Sequence, residues 1–201
     1  MSKAIYLSDP DGIGVEITLE TPERFHAYSV APGLLQVIDA DGRIRRGAEP
    51  LNVEVALATL PDHDIKRPVP SDAKIGHVRL HVGNLEQAYE FYHRLGFTQN
   101  VIFPQLGFAD LGVCGSFNHR IGINTWQGAE APQAPYGTAR MRHFTLRFQS
   151  GEQLTAALMR LPHAEKVAAG YTVQDPAGNR LVLTQHAVGN SVQSMGWPRH
   201  T

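Results

Sequence analysis

Two histidines of this chain stand where strand geometry allows them to bind one metal ion. His77 and His143 each lie near the start of a predicted strand, on the face that carries polar side chains. Two imidazoles and one carboxylate form the facial arrangement that suits non-haem Fe(II), and it leaves positions open for dioxygen and a chelating substrate. The pattern therefore indicates metal chemistry, with the carboxylate still to be found.

A motif that occurs twice supplies two positions for that carboxylate. Residues 9–17 and 175–183 each begin with Asp-Pro, continue through a glycine turn and enter an apolar strand. The first copy has Glu16 at the position where the second copy has Val182. We therefore expect a site built around Val182 to lack its third ligand, and we expect Val182→Glu to raise its affinity for Fe(II) or Mn(II).

Two runs of the same element order position the histidines. Each run predicts one strand, one helix and three more strands, so that a β-α-β-β-β order occurs twice between residues 74 and 186. The first run has strands at 75–82, 98–103, 108–113 and 120–126 and a helix at 85–95, which Asn84 caps. The second run has strands at 142–148, 166–168, 171–174 and 180–184 and a helix at 152–161. In both first strands the apolar face is suited to the helix and the polar face to a cleft.

The segments outside these runs predict a less regular organisation. Residues 1–19 contain a β-hairpin, with strands at 4–7 and 15–19, which we interpret as the remnant of a first domain in an N-terminally truncated chain. Residues 20–73 are rich in Pro, Gly and Asp and predict an extended connector, with short strands at 34–38 and 44–46 and a short helix at 53–58. Residues 187–201 predict a polar tail. Because exposed strand edges pair with other strands, we expect the hairpin to dock on the complete domain or on a second copy, giving a homodimer.

Composition argues against several classes of partner. The chain of 201 residues is 42% hydrophobic and 18% charged, with a net charge of −1, so no charge excess predicts binding to nucleic acid or to an anionic membrane surface. No apolar run approaches the roughly 20 residues of a membrane span, and the N-terminus lacks a signal-peptide pattern. The single cysteine, Cys114, rules out an internal disulfide, which is typical of a cytoplasmic protein.

In combination, these segments resemble the vicinal oxygen chelate superfamily of glyoxalases, bleomycin resistance proteins and extradiol dioxygenases, and in particular its tandem catechol 2,3-dioxygenase-like proteins. The resemblance lies in Ile75-Gly76-His77-Val78, the helix Leu85–Tyr92 with Leu95-Gly96-Phe97, the run His119–Trp126, Arg142-His143-Phe144, and the first motif copy preceded by Ala4–Leu7. It implies an α+β fold in which paired βαβββ modules form a cleft.

The resemblance also assigns roles to the histidines. It implies that His77 and His143 bind Fe(II) or Mn(II), and that a small aromatic diol is the substrate. It places His119 at the start of a strand beside the open metal positions, where extradiol enzymes keep an acid/base histidine. The reaction that it implies is oxidative opening of the ring next to the diol.

The remaining two roles fall differently in the two motif copies. In the second copy, the family's glutamate ligand falls on Val182 and its active-site tyrosine on Thr172. In the hairpin the same offsets give Glu16 and Tyr6. The resemblance therefore implies Glu16 as the metal-binding carboxylate and Tyr6 as a catalytic residue, both belonging to the first domain.

Three functions remain open from the sequence. The first is a metal-dependent dioxygenase that cleaves an aromatic diol, although Val182 at the carboxylate position argues against activity of this chain alone. The second is a glyoxalase-like, metal-dependent isomerase or lyase, and the third is a non-catalytic protein that binds small molecules. Without a metal, His77 and His143 would simply be polar residues on the open face of a curved sheet.

Overall fold

The computed structural model describes residues 2–31, 34–113, 119–135 and 137–185. The predicted tail, residues 187–201, lies outside this described part. Within it, none of the helices is long and apolar enough to cross a membrane.

The N-terminal segment forms the predicted hairpin. Strands β1 (Ser2–Ser8) and β2 (Gly14–Glu20) pair antiparallel in a two-stranded sheet. Asp9 fixes the turn because its Oδ1 accepts the backbone N–H groups of Asp11 and Ile13 at 2.9 and 2.7 Å. Side chains alternate across the pleat, so one face of the hairpin is apolar and the other carries polar groups.

The connector contains a sheet of its own, which the sequence predicted only in part. Strands β3 (Phe25–Ala31), β4 (Leu34–Asp39) and β5 (Ile44–Arg46) form an antiparallel sheet in that order, and β3 had no predicted counterpart. The helix α1 (Val53–Ala58) follows. Asp39, 5% exposed, holds the β4–β5 turn because its carboxylate accepts the Arg43 N–H at 2.9 Å and the Arg45 Nε–H at 2.8 Å.

The first module has the predicted order of elements. Its elements are β6 (Val78–His81), α2 (Leu85–Arg94), β7 (Thr98–Phe103), β8 (Phe108–Gly112) and β9 (Ile121–Asn124). The strands are ordered β6-β9-β8-β7, and β6 runs parallel to β9. The side chain of Asn84 accepts the Gln87 N–H at 3.0 Å and so caps α2 as predicted.

The second module repeats the first. Its elements are β10 (Phe144–Phe148), α3 (Gly151–Met159), β11 (Glu165–Val167), β12 (Gly170–Gln174) and β13 (Arg180–Gln185), with the strand order β10-β13-β12-β11. The equivalent strands β10 and β13 are again parallel. The predicted α+β fold of paired βαβββ modules is confirmed.

The two modules share one core, which lies on their helix-bearing sides. This core takes buried side chains from both sheets and both helices, among them Leu80, Ala88, Ala157 and Leu183. Tyr92 of α2 is fully buried, and its hydroxyl donates to Asp175 of the second module at 2.8 Å. The polar side chains of β6 therefore point away from this core, to the opposite face of their sheet.

Candidate functional site

The hairpin meets the first module through a carboxylate–imidazole contact. Oε2 of Glu16 lies 2.9 Å from Nε2 of His77, and their side chains are only 15% and 10% exposed. Glu16 reaches this position because it stands on the polar face of β2, while His77 directly precedes β6 on that strand's polar side. An ionised carboxylate only accepts hydrogen bonds, so Nε2 of His77 is the donor.

Tyr6 and Arg79 surround the same carboxylate. Tyr6 pairs with Glu16 across the hairpin, and its hydroxyl interacts with both Glu16 and Arg79. Nη2 of Arg79 donates to Oε2 of Glu16 at 3.4 Å, and its guanidinium carbon lies 5.4 Å from the centre of the Tyr6 ring. The carboxylate thus has three polar neighbours drawn from two separate elements.

His119 completes the group from the other side of His77. The two imidazole rings lie 4.1 Å apart between centroids, tilted by 51°. Nδ1 of His119 is 2.6 Å from Oδ1 of Asp110, a carboxylate that is only 5% exposed. Since a carboxylate accepts, it holds the proton on Nδ1 and leaves Nε2 as the basic nitrogen, an arrangement that orients functional histidines in many sites.

The cluster shifts the pKa values of three of its members. Burial raises the pKa of Glu16, but hydrogen bonds from Tyr6 and His77 and the nearby positive charges outweigh burial and leave the pKa below its ordinary value. Burial and the charge of His119 lower the pKa of His77, against the opposing effect of Glu16. Burial and the hydrogen bond to Glu16 raise the pKa of Tyr6. These pKa shifts favour an ionised Glu16, a neutral His77 and a protonated Tyr6.

Aromatic side chains border this polar group. Trp126 stacks on Phe108 with centroids 6.0 Å apart, and its indole N–H donates to the carbonyl of Leu106 at 2.8 Å. The guanidinium of Arg79 lies 5.6 Å from the centre of the Trp126 ring. Gly122 lies between Arg79 and Asp110 in the register of the sheet and leaves the space above it free of a side chain.

The structure brings four of the five predicted site residues together, namely Tyr6, Glu16, His77 and His119. Sequence reasoning missed Asp110, Arg79 and Trp126 as parts of the group. Arg79 had a usable signal, since it stands two residues after His77 on the same strand face. Asp110 and Trp126 had none, because their roles depend on how β8 and β9 lie against β6.

The fifth predicted residue, His143, is not in the group. It is exposed directly before β10, and no hydrogen bond, ion pair or ring contact among the described residues involves it. Val182 pairs with Thr172 and Thr145 inside the second sheet. In the part of the chain that the structure describes, no three His, Cys, Asp or Glu side chains are arranged to hold a metal ion.

Two side chains nevertheless have the spacing of neighbouring metal ligands. Ligand atoms at right angles around a divalent ion, with bonds of about 2.1 Å, lie about 3 Å apart. The 2.9 Å between Nε2 of His77 and Oε2 of Glu16 matches that spacing. The residues present therefore fit two of the three ligands in a two-histidine, one-carboxylate site.

A known protein aligns with most of the chain in sequence. The chain is 30% identical over 188 residues to a catechol-2,3-dioxygenase of Bacillus subtilis (strain 168), with 90% of this chain covered. The aligned part spans 61% of the length of that relative.

Solved structures with lower identity also align. A glyoxylase/bleomycin resistance protein/dioxygenase domain from Frankia sp. EAN1pec is 16% identical, with a TM-score of 0.45 over 59% of this chain and 95% of that one. A possible glyoxalase from Bacillus cereus is 22% identical, with a TM-score of 0.42 over 55% of this chain and 96% of that one.

The sequence pattern of one superfamily matches residues 74–183, which hold both modules. The chain therefore belongs to the Glyoxalase/Bleomycin resistance protein/Dioxygenase superfamily.

Proposed function

We propose that this chain contributes the active site of a metal-dependent, extradiol-type dioxygenase that opens the ring of a small aromatic diol. The observation that carries the proposal is the contact of the hairpin with His77, because it supplies the carboxylate that Val182 cannot. The same contact adds Tyr6 to a group that already contains His119. The identity to a catechol-2,3-dioxygenase supports this choice over the isomerase and binding functions.

The metal that we propose is Fe(II) or Mn(II), held by His77 and Glu16. When bound, such an ion supplies Lewis acidity to the diol and the redox capacity that dioxygen chemistry needs. A third ligand has to come from outside the described group. His143 is exposed, and we propose that a second copy of the chain in a homodimer brings it there.

The protein's own groups then divide the proton chemistry. Asp110 fixes the proton on Nδ1 of His119, so Nε2 is free to accept a proton from a diol hydroxyl. Tyr6, whose pKa is raised, stays protonated, and its single O–H, which donates to Glu16 in the metal-free cluster, would turn to donate to an oxygen anion of the substrate. Phe108 and Trp126 offer apolar surface to the ring.

Metal affinity tests the ligand assignment. We expect Glu16→Gln to weaken Mn(II) binding at least about tenfold in anaerobic calorimetry, since a charged ligand becomes neutral. Glu20→Gln, at the exposed end of the same strand, serves as the matched control and should change nothing. If Glu16→Gln has no effect while Val182→Glu raises the affinity, the second module holds the metal and the assignment to the hairpin is wrong.

Complementation between variants tests the part played by His143. Glu16→Gln and His143→Ala should each bind Mn(II) at least about tenfold more weakly than the wild type when alone. If sites form between copies, mixing the two variants restores some intact sites, because His143 from one chain meets His77 and Glu16 of the other. A mixture that binds Mn(II) no more tightly than either variant alone would rule out the shared site.

Turnover separates the three functions. Aerobic incubation of the Fe(II)-treated chain with catechol should give a yellow, ring-opened product and consume one dioxygen per diol. Isomerisation of a thiol adduct without oxygen uptake would instead establish the glyoxalase-like alternative. Binding of catechol with neither reaction would leave a non-catalytic binding protein.

A further inference from the structure

We propose that Arg79 makes this site selective for aromatic diols that carry an acidic substituent, such as a carboxylate. The inference rests on the proposed function, because it places the diol oxygens at His77 and Glu16. It adds a group that recognises another part of the ring.

The guanidinium of Arg79 is held in place by aromatic faces. It lies 5.4 Å from the Tyr6 ring centre and 5.6 Å from that of Trp126, distances at which a cation is attracted to a ring. Trp126 is itself fixed by its hydrogen bond to Leu106 and its stacking on Phe108. A cation held by rings keeps its position without using up its hydrogen-bond donors.

Most of those donors remain for a ligand. A guanidinium has five N–H groups. Arg79 makes a long hydrogen bond of 3.4 Å to Glu16 and a contact with the Tyr6 hydroxyl, and the other donors remain. The side chain is 35% exposed, so a ligand can reach it. A planar fork of donors matches a carboxylate better than any neutral substituent, because two parallel hydrogen bonds form to a charged partner.

The charge of Arg79 also lacks a dedicated partner once the proposed metal site is used. Oε2 of Glu16 is the atom that contacts both His77 and Arg79. A cation bound by His77 and Glu16 would draw on that same oxygen and weaken its attraction for Arg79. An anionic substituent on the substrate would then balance the guanidinium.

Gly122 provides the floor on which such a ring can lie. A Cβ at this position would be 3.8 Å from the Phe108 ring, 3.9 Å from the His119 ring and 4.0 Å from Cγ of Arg79. The glycine therefore leaves a gap of about one methyl group between the His119 ring, the Phe108 ring and the aliphatic stem of Arg79. A flat ring lying over that gap would have His119 on one side and Arg79 on another.

Anaerobic calorimetry with two probes tests the selectivity without requiring turnover. The probes are 3,4-dihydroxybenzoate and 4-methylcatechol, which share the diol and differ in the charge of the third substituent. We expect the full chain to bind the acid about tenfold more tightly, which corresponds to about 1.4 kcal/mol. In Arg79→Met the ratio should fall to about one, and Arg79→Lys should keep only part of it because the fork is lost.

Matched variants locate the effect. Arg147→Met removes an exposed arginine from β10 of the other module and should leave the ratio unchanged. Gly122→Ala should weaken both probes alike, since the added methyl fills the floor. If Arg79→Met unfolds at a much lower temperature than the wild type, the test rests on Arg79→Lys, in which the ratio of the two affinities should drop.

The outcomes separate this inference from the proposed function. A wild-type chain that fails to prefer or to bind the acid, or a ratio that survives in Arg79→Met, overturns the role of Arg79 even if catechol is cleaved. A preference that depends on Arg79, in a chain that never opens a ring, upholds the anion site and overturns the dioxygenase.

Discussion

The carboxylate of Glu16 joins two parts of the molecule that are distant in sequence. It accepts from His77 at 2.9 Å and from Arg79 at 3.4 Å, while the ring of Tyr6 covers Arg79. Tyr6 and Glu16 supply polar contacts between the hairpin and the rest of the chain. Loss of this one negative charge should therefore change the electrostatic environment of each neighbouring side chain.

Glu16→Gln should lower the pKa of His77 below its already lowered value. Burial and the charge of His119 lower the pKa of His77, whereas the hydrogen bond and the charge of Glu16 raise it. When the charge of Glu16 is removed, the lowering effects therefore dominate further. Imidazole proton shifts followed by NMR over pH in the metal-free chain measure the change. Glu20→Gln is the control, and a His77 pKa that rises in Glu16→Gln would contradict the geometry.

Gly170→Ala should destabilise the second module much more than Gly128→Ala does. Both glycines have positive φ, 133° and 114°, so both substitutions carry a backbone penalty of about 1 kcal/mol. A Cβ at Gly170 would also overlap the carbonyl oxygen of Leu183, whereas one at Gly128 meets nothing within 4 Å. Urea unfolding should show a difference of several kcal/mol, and equal midpoints would exclude the clash.

The sequence predicted four members of the site group but not the contacts between them. Glu16 stands in a repeated motif and His77 on the polar face of a strand, and the family resemblance implied the roles of Tyr6 and His119, so all four could be named from one sequence. The contact of Glu16 with His77 joins positions 61 residues apart and depends on how the hairpin docks, which no local pattern encodes. The same limit explains why His143 was grouped with residues that it does not contact.

Among the elements, α2 connects the two modules as well as covering its own sheet. Tyr92 lies on its buried face, and the hydroxyl donates to Asp175 at the turn between β12 and β13. That carboxylate also accepts the N–H of Ala177 and both nitrogens of Asn179. The helix therefore depends on a folded turn in the neighbouring module.

Tyr92→Phe should lower the free energy of unfolding by about 1.5–3 kcal/mol, because a buried carboxylate loses a donor. Tyr89→Phe is the matched control on the same helix, since no hydrogen bond of its hydroxyl appears in the described part. Chemical denaturation measures both variants. A loss no larger than that of the control would mean that the hydroxyl contributes nothing.

The same hydroxyl makes the protein sensitive to alkali. Burial and Asp175 raise the pKa of Tyr92 well above its usual 10.0, so above pH about 10 the unfolded chain loses this proton while the folded chain keeps it. Stability from this group is complete below that pH and is lost as the pH rises. The fall in melting temperature should be shallower in Tyr92→Phe than in the wild type.

Elements with strong local signals were predicted well. Both module helices begin next to a side-chain cap, Asn84 or Ser150, that accepts a backbone N–H, and α1 has the predicted bounds. The missed strand β3 lies in a segment whose proline content suggested a connector, and it is stabilised by pairing with β4 rather than by its own pattern. Pairing partners are tertiary information, which propensity does not contain.

At the scale of the whole molecule, the hairpin presents an uncovered apolar face. Five of its side chains are between 45% and 63% exposed, namely Ile5, Leu7, Val15, Ile17 and Leu19. They belong to a two-stranded sheet whose outer edges are unpaired in the described part. Contiguous apolar surface of this kind favours association, which supports the proposed homodimer.

Ile17→Lys should shift the chain toward the monomer. Ile17 pairs with Ile5 at the centre of the apolar face, and a charge there opposes burial of that face. Light scattering over a range of concentrations measures the mass, with Ile75→Lys, an exposed apolar residue outside the hairpin, as the control. A mass that is unchanged in Ile17→Lys, or a wild type that is already monomeric, would contradict association through the hairpin.

The narrow attachment of the hairpin has a consequence for motion. Strands β8 and β9 contribute to the shared core, whereas β1 and β2, in the part of the chain that the structure describes, pair only with each other and contact the first module through Tyr6 and Glu16. Local opening needs less free energy where few buried contacts are broken. The hairpin should therefore swing away many times for each global unfolding event, and the carboxylate leaves His77 each time. Backbone amides of β1 and β2 should exchange with deuterium well before those of β9. Any chemistry that needs Glu16 could then proceed only while the hairpin is docked, so its rate would depend on how often the hairpin opens and closes.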